Sequence, residues 1–446
     1  MSKITIYMPN FNYANYIEEA VNSVLKQSYK DWELLIIDDG STDNSLDILK
    51  KYNKNKKIKV IKQKNKGLNV TNNIAIRLSN SEYITRLDPD DYLDENYLLV
   101  VSKILDNDQN IGLVYPDYFT VDKEGNILNL VRNEKINIKN AIKDTPPHGA
   151  CTMFRRDILI NIGSYDEVFK CQDGYDIWLK FIDKYNPYNI NLPLFYYRRH
   201  NDNSTNNQKK IFDTKIKISN KHSKKKNENF KVLAIVPITK NSMYDFNKPF
   251  VVLDNKPLLW YTLDQITKSK NLNKVIINTD DEKVISYVEK YFPNFLTLKR
   301  QQGDGYEIND DLISDSLKFL NNEYFDYICK LYISTPLRKA KHIDYAISTI
   351  SLFNTDYLVS VSEELSQLFT YTAQGLQKIN NTVQTIRFER DSIYRENGSI
   401  YIYKFQSLTK NRNHIKIGHI KMLNEESVKL NTSFDFDIAE YLLKKN

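Results

Sequence analysis

Ser81-Glu-Tyr-Ile-Thr-Arg-Leu-Asp-Pro-Asp-Asp-Tyr92 decides how the first half of this 446-residue chain is read. Residues 83–87 form a short, mostly apolar run that leads straight into an acidic tip. The tip sets Asp88, Asp90 and Asp91 close together, with Pro89 fixing the turn between them. Carboxylates packed this closely repel one another unless a cation or a proton sits between them. At the end of a buried strand the expected cation is a hard divalent metal that phosphates also bind. The competing reading is an acidic turn capping a helix that starts near Asp94.

Outward from this stretch, strands and helices alternate. Residues 4–8 read as a strand ending at Pro9-Asn-Phe-Asn12, and Ile17, Ala20, Val21, Val24 and Leu25 then recur at helical spacing. Residues 32–37 are an apolar run suited to burial on both faces of a parallel sheet. That run stops at Asp38-Asp39-Gly40-Ser41-Thr42-Asp43, a turn that caps a helix through Leu49. A third strand at 58–61, Asn65-Lys-Gly67 and a helix to about Leu78 follow. The alternation predicts an open, doubly wound α/β sheet, whose ligands sit at the carboxyl ends of the strands. Asp38/Asp39 and Asp88–Asp91 both fall at such ends, the pattern of a nucleotide-plus-metal site.

The length points to two domains, and the composition is that of a globular protein rich in Tyr. A net charge of +7 on this length does not argue for nucleic acid. Cys151, Cys171 and Cys329 show neither metal-ligand spacing nor a paired framework, which suits a reducing compartment. Met-Ser-Lys-Ile-Thr-Ile enters a strand at once, leaving no room for a signal peptide, and no apolar run reaches membrane-span length. A cytoplasmic protein is expected.

Pro9-Asn-Phe-Asn12, Ile36-Ile-Asp-Asp-Gly-Ser-Thr-Asp43, Asn65-Lys-Gly67 with Asn73, and Leu87-Asp-Pro-Asp-Asp91 together resemble the family-2 glycosyltransferases of the GT-A fold. The resemblance covers residues 1 to about 205. It implies a nucleotide-sugar donor, taken as UDP-linked, bound by Pro9, Phe11, Asp38, Asp39, Asn72, Asp88 and Arg198. Phe11 would lie beside the base, and Asp39 with Asp38 would hold base and ribose. Asp88 and Asp90 match the family's Asp-x-Asp, which binds the diphosphate through Mg²⁺ or Mn²⁺. His200, at the end of Leu194-Phe-Tyr-Tyr-Arg-Arg-His200, matches a Tyr-Arg-x-His ending and is placed at the metal, while Arg198 and Arg199 are candidates to neutralise phosphate charge. Asn72 stands where the family often carries arginine and supplies no fixed charge.

On the acceptor side, residues 111–121 read as a strand and Lys123-Glu-Gly-Asn126 as a hairpin turn. His148-Gly-Ala-Cys-Thr-Met-Phe-Arg-Arg156 resembles the family's acceptor-side strand leading into a helix. Cys171-Gln-Asp-Gly-Tyr-Asp-Ile-Trp178 opens a further helix that would bury Ile177, Trp178 and Phe181. Sugar transfer with inversion needs a base for the acceptor hydroxyl's proton. The resemblance puts that base at Asp173, with Asp176 as its rival and a helix cap as the alternative for Asp173. The acceptor implied is a surface polysaccharide or another glycan, including a lipid-linked one.

Residues 206–230 read as a basic helix and linker around Lys221-His-Ser-Lys-Lys-Lys226, either a solvated face or a contact with anionic lipid at the inner face of the membrane. From residue 231 the strand–helix pattern restarts without repeating the first sequence. Two tandem Rossmann-like α/β domains are therefore expected, at 1–205 and 231–446. Asn247-Lys-Pro, Asn255-Lys-Pro-Leu258, Thr279-Asp-Asp281, Ser334-Thr-Pro-Leu-Arg338, Tyr394-Arg-Glu-Asn-Gly398 and Phe434-Asp-Phe-Asp-Ile-Ala-Glu440 resemble the acylneuraminate type of cytidylyltransferase, which joins CTP to sialic acids. The ligand site this implies comprises Lys248, Arg338, Asn397, Asp435 and Asp437. The last two are read either as a metal-holding pair or as an acidic helix cap.

This second half departs from its family at the phosphate loop. Where a Gly/Ser-rich basic loop would cradle a triphosphate with its amides, Val236-Pro-Ile-Thr-Lys-Asn-Ser-Met-Tyr-Asp-Phe246 has no glycine and only Lys240 as a cation. The glutamine before the family's Pro-Thr-Ser-Pro is Tyr332. A non-catalytic cytidylyltransferase-like domain is the reading. A second enzyme making a CMP-sugar, or a docking module that forms a homodimer, stays open. No nucleic-acid partner is expected, since the lysine run has no stacking motif beside it.

Overall fold

Strand β1 (Ile4–Asn10) is buried along its whole length and β2 (Trp32–Asp38) nearly so. The period of two sorts their side chains into two cores. Ile4, Ile6, Met8, Leu34 and Ile36 join one, while Tyr7, Leu35 and Ile37 join the other. A sheet covered on both faces is what these largely apolar strands require.

The computed structural model describes all residues except 1, 134–141, 143, 145, 201–206, 227–229, 241–244, 301–309, 365, 380–392, 409–414 and 446, together with the side chains of 208, 224–226, 310 and 311. The chain divides into two compact units, Met1–Ile218 and Ser219–Asn446.

In the first unit α1 (Ile17–Leu25), α2 (Ser45–Leu49), β3 (Ile58–Lys62), α3 (Leu68–Leu78) and β4 (Tyr83–Arg86) complete the alternating half. There follow β5 (Tyr92–Leu93), α4 (Tyr97–Asn107), β6 (Ile111–Val121), β7 (Ile127–Val131), β8 (Met153–Arg155), α5 (Arg156–Asn161), α6 (Asp173–Ile182) and β9 (Asn186–Arg198). The sheet order is β3-β2-β1-β4-β8-β6-β9-β5, with β7 paired to β6. Strands β1 to β4 run parallel, and β8 is antiparallel to both β4 and β6. The carboxyl ends of β1, β2 and β4 therefore lie side by side, carrying Asn10, Asp38 and the acidic tip. The helix-cap reading of that tip does not hold. Tyr92 and Leu93 leave it as β5, paired with Tyr196 and Phe195, and α4 begins only at Tyr97, behind Asn96.

The basic segment contains one long helix, α7 (Gln208–Lys226), in place of a short helix and a linker, and the boundary between units falls within it. Among the described residues no helix is long and apolar enough to cross a membrane.

The second unit contains β10 (Val232–Ile238), β11 (Val252–Leu253), β12 (Lys256–Pro257), α8 (Leu258–Lys268), β13 (Lys274–Thr279), α9 (Glu282–Tyr291), β14 (Leu296–Lys299) and α10 (Asp310–Phe319). It ends with β15 (Tyr327–Leu331), α11 (Ala340–Phe353), β16 (Tyr357–Glu364), β17 (Phe369–Thr372), β18 (Gly375–Lys378), β19 (Ile393–Lys404), β20 (Ile417–Lys421) and α12 (Ser433–Lys445). Its main sheet is ordered β14-β13-β10-β15-β19-β16-β20, parallel up to β15, with β19 antiparallel to both its neighbours. The expected pair of α/β domains is present. Strands β17 to β20 are additions that the sequence reading did not anticipate.

Candidate active site

Arg86, the last residue of β4, organises the acidic tip. Its side chain is only 6% exposed, its Nε lies 2.9 Å from Asp88 Oδ1, and its Nη2 donates to Asp88 Oδ2 at 3.2 Å. Its Nη1 donates to Asp173 Oδ2. Asp173 sits in the first turn of α6, but the N-cap position belongs to Gln172, which adopts a left-handed conformation with φ 58°. Asp173 is thus turned toward Arg86 and Asp88, which the capping alternative did not foresee. Its rival Asp176 is buried and paired with Lys180 at 2.6 Å. Truncating one member of such a buried group leaves the others uncompensated, at a cost of about 3–5 kcal/mol.

The tip is short of positive charge. Burial pushes the Asp88 carboxyl up; Arg86 opposes this, Asp90 and Asp173 add to it, and the group rests at about 6. Burial, Asp90 and Asp88 push Asp91 well above the carboxylate range. Asp91 Oδ1 accepts from the Arg198 amide at 2.9 Å, while its Oδ2 is buried with no hydrogen-bond partner among the described residues. Asp90 Oδ2 meets His200 Nε2 at 3.0 Å. The His200 ring stacks on Tyr16 with centroids 5.2 Å apart and meets Tyr13 edge-on. Burial and then Asp90 and Asp88 raise the Tyr13 hydroxyl, so it stays protonated beside them.

Arg198 is not disposed toward a phosphate. Its Nε donates to the Asp90 carbonyl at 2.9 Å, its Nη1 to the carbonyls of Asp122 and Lys123, and its Nη2 to Glu19. It also lies over the rings of Tyr16 and Tyr92. Its fork of donors clamps the tip from behind. Arg199 is exposed, its guanidinium over the Tyr197 ring.

At the ends of β1 and β2 the predicted donor residues build a loop anchor. Asp38 is fully buried and accepts from Asn10 Nδ2 at 2.9 Å and the Ser41 amide at 3.0 Å. Asp39 accepts from Gln63 at 2.7 Å and from the amides of Lys66 and Gly67, each at 2.8 Å. A carboxylate has about four acceptor positions, so this carboxylate is nearly saturated by the protein. Gly40, directly after Asp39, is obligatory: at φ +84°, an added Cβ would lie 2.9 Å from the Asn65 amide nitrogen. Pro9 lies within β1, and Phe11 just beyond it is 43% exposed. On α3, Asn69 and Asn73 tie down the segment from Tyr165 to Phe169. Asn72 on the same helix is fully buried, and neither of its amide atoms has a hydrogen-bond partner among the described residues.

Sequence reasoning missed Arg86 and the aromatic bracket of Tyr13 and Tyr16. It also left His148 without a role: burial and then Arg86 push this histidine down to about 4, so it is neutral, packed among Tyr118, Phe195 and Tyr197. The signal available for Arg86 was its place two residues before Asp88, but its reach to Asp173 is a tertiary fact.

The predicted ligand residues Lys248, Arg338, Asn397 and Asp435 of the second unit are engaged by other protein groups. Lys248 pairs with Asp245 at 2.7 Å, within one turn. Arg338 is buried and donates to Thr335, Thr262, Ser399 O and Tyr332 O; burial lowers it to about 10. Asn397 bonds Ser360 and the Ser399 amide. Asp435 accepts from Thr432 N at 2.9 Å and Thr432 Oγ1 at 2.8 Å, and its own amide donates back to Thr432 Oγ1 at 3.2 Å. That is a reciprocal capping box at the start of α12. Asp437 is exposed. In the altered phosphate loop the Lys240 amide donates to Asp280, and residues 241–244 lie outside the described residues.

Residues 5–163 match the family described as Glycosyl transferase family 2, and residues 233–423 match the one described as Cytidylyltransferase. Among curated proteins, the chain is 37% identical to a chondroitin synthase of Escherichia coli over 126 residues, 28% of this chain and 18% of that protein. It is 34% identical to a hyaluronan synthase of Pasteurella multocida over 28% of this chain and 13% of that protein. An uncharacterized glycosyltransferase of Rickettsia typhi is 31% identical over 46% of this chain and 66% of its own length. The chain therefore spans under a fifth of the length of the two synthases. It joins a glycosyl transferase family 2 domain, matched over residues 5–163, to a cytidylyltransferase domain, matched over residues 233–423.

Proposed function

We propose that the first unit is a metal-dependent, inverting glycosyltransferase that moves a sugar from a nucleotide-linked donor, UDP-linked in the first instance, to a glycan acceptor of a surface polysaccharide. The observation that carries this reading is the meeting of Asp88 and Asp173 on one buried arginine at the carboxyl end of β4. A carboxylate beside the diphosphate site and a second one at the start of a helix are the two groups that inverting transfer demands.

Asp88 and Asp90, with His200 behind Asp90, would hold a Mg²⁺ or Mn²⁺ ion. The orphaned Asp91 oxygen and the raised Asp88 carboxyl mark a cluster short of positive charge, which fits a divalent cation. Among the described residues no group of three or more His, Cys, Asp or Glu side chains is set to hold a metal. An ion bound by one or two carboxylates plus substrate phosphates requires no such group. When bound, the ion supplies charge neutralisation at the leaving diphosphate. Asp173 takes the acceptor hydroxyl's proton. Phe11 and Asn72 face the nucleotide in this reading, the orphaned Asn72 amide gaining the partners it lacks, while Asp38 and Asp39 hold the loop that shapes that pocket.

The test is turnover of UDP- and GDP-sugars with Mn²⁺. Asp88→Ala combined with Asp90→Ala should lower turnover about 10³-fold or more and abolish its dependence on Mn²⁺. Intact, Mn²⁺-dependent turnover in that double variant would remove the metal assignment. The second unit is read as non-catalytic, because its candidate ligand residues Lys248, Arg338, Asn397 and Asp435 are engaged by other protein groups.

A further inference from the structure

Arg86 does more than balance charge. A guanidinium presents its donors in a rigid planar fork, and here one edge of the fork covers Asp88 while the remaining nitrogen reaches Asp173. Both Asp88 oxygens are thereby turned to the protein's own cation, and they are the oxygens that a metal ion would need. Space for the fork is built in: a Cβ on Gly149 would lie 3.1 Å from Arg86 Nη2. The hydroxyls of Tyr7 and Tyr165, 3.1 Å apart, close the cluster, and each feels the charge of Arg86.

We propose that Arg86 is a positioning residue that aims Asp173 and competes with the metal ion for Asp88, so that loading of the donor at Asp88 hands Arg86 over to Asp173. The inference rests on the glycosyltransferase reading of this unit and deepens it by assigning a residue that the Asp-x-Asp motif does not include. One bridging cation can serve two carboxylates only while neither has a better partner. A divalent ion with diphosphate is the better partner for Asp88, and the freed donors then have Asp173 as their remaining anionic neighbour.

The consequence is a split between binding and turnover. Removing Arg86 frees Asp88 for the ion but leaves Asp173 unaimed. In Arg86→Gln, calorimetry with Mn²⁺ and UDP or GDP should give binding tighter by about threefold to tenfold. Turnover of the sugar donor that the unaltered chain uses best should fall about 100-fold, with KM not raised. Arg86→Lys keeps a buried charge but not the fork. It should retain the melting temperature better than Arg86→Gln while losing turnover to a similar degree. Weaker binding and slower turnover by the same factor in both variants would make Arg86 a structural ion pair only and overturn the inference. Turnover in Arg86→Gln within about threefold of the unaltered chain would also overturn it. If the unaltered chain bound neither nucleotide with Mn²⁺, the donor reading would fall first and this inference with it.

Discussion

In the first unit Arg86 reaches Asp173 across 87 positions of sequence, and the same side chain holds Asp88. In the second unit, among the described residues, the Asp435 carboxylate bonds the backbone and hydroxyl groups of the residues 3 and 4 positions before it. Similar residue types occur in both units: paired aspartates beyond a strand or before a helix, a buried arginine, and a histidine against a carboxylate. The difference lies in whom the aspartates answer to. Long-range pairing among buried charges is costly to assemble and leaves groups under-compensated, as Asp91 Oδ2 is. The local bonds of Asp435 satisfy it where it stands. A site ready for a ligand should look like the former, a scaffold like the latter.

The sharpest way to break this contrast is Asp173→Asn. If Asp173 is the base, turnover of the sugar donor should fall about 10²–10⁴-fold, with binding of Mn²⁺ and nucleotide unchanged. If turnover survives and Asp176→Asn abolishes it instead, the base is Asp176, despite its pairing with Lys180.

Next in size is a place in the second unit where charged groups converge on a buried carboxylate. His342 Nε2 lies 3.1 Å from Glu426 Oε2, with Lys339 and Lys341 at 3.1 and 3.3 Å from Glu426 Oε1. Burial pushes the Glu426 carboxyl up, but His342, Lys339 and Lys341 outweigh it and hold the group below its ordinary 4.5. A depressed carboxylate stabilises the fold above its unfolded value and loses that contribution as pH falls. His342, lowered from 6.5 chiefly by burial, acts in the same sense, since acid must charge it. Thermal unfolding should therefore show stability falling from pH 7 toward pH 4. Glu426→Gln should cost about 3–5 kcal/mol at pH 7 and flatten that dependence. Donor turnover per folded molecule should not change. A loss of turnover would show that the cluster serves chemistry and would dissolve the contrast between the units.

The parts of this picture legible in the sequence are those with short periods. Largely apolar runs at 4–8, 32–37 and 83–87 marked sheet strands, and turn residues after the last two placed Asp38 and Asp88 at strand ends. The acidic tip was visible because its members are neighbours in sequence. Arg198 was misread because a terminal arginine after a strand looks the same whether it faces phosphate or, as here, the carbonyls of Asp90, Asp122 and Lys123. Arg86 was passed over because nothing local ties it to Asp173. Strands β17 and β18 escaped because they form a separate antiparallel hairpin with exposed, weakly patterned sequences, no residue of either being buried.

The smallest effect separates cap from metal ligand at Asp435. The reciprocal bonds with Thr432 make it the third helical residue of a capping box, and Asp435→Ala should cost about 1 kcal/mol. The cost should appear as a lower unfolding midpoint in urea. Asp437→Ala, at an exposed position, should leave that midpoint within about 0.5 kcal/mol. The cap reading makes the two aspartates unequal for stability and both indifferent for nucleotide chemistry. A metal pair would make them unequal in neither: each substitution would abolish pyrophosphate release from CTP, Mg²⁺ and N-acetylneuraminate. The same full-length proteins answer both questions, so the comparison between the units turns on which assay responds. Pyrophosphate release by the unaltered chain, lost in either variant, would make the second unit an enzyme whose charges converge only around a bound nucleotide.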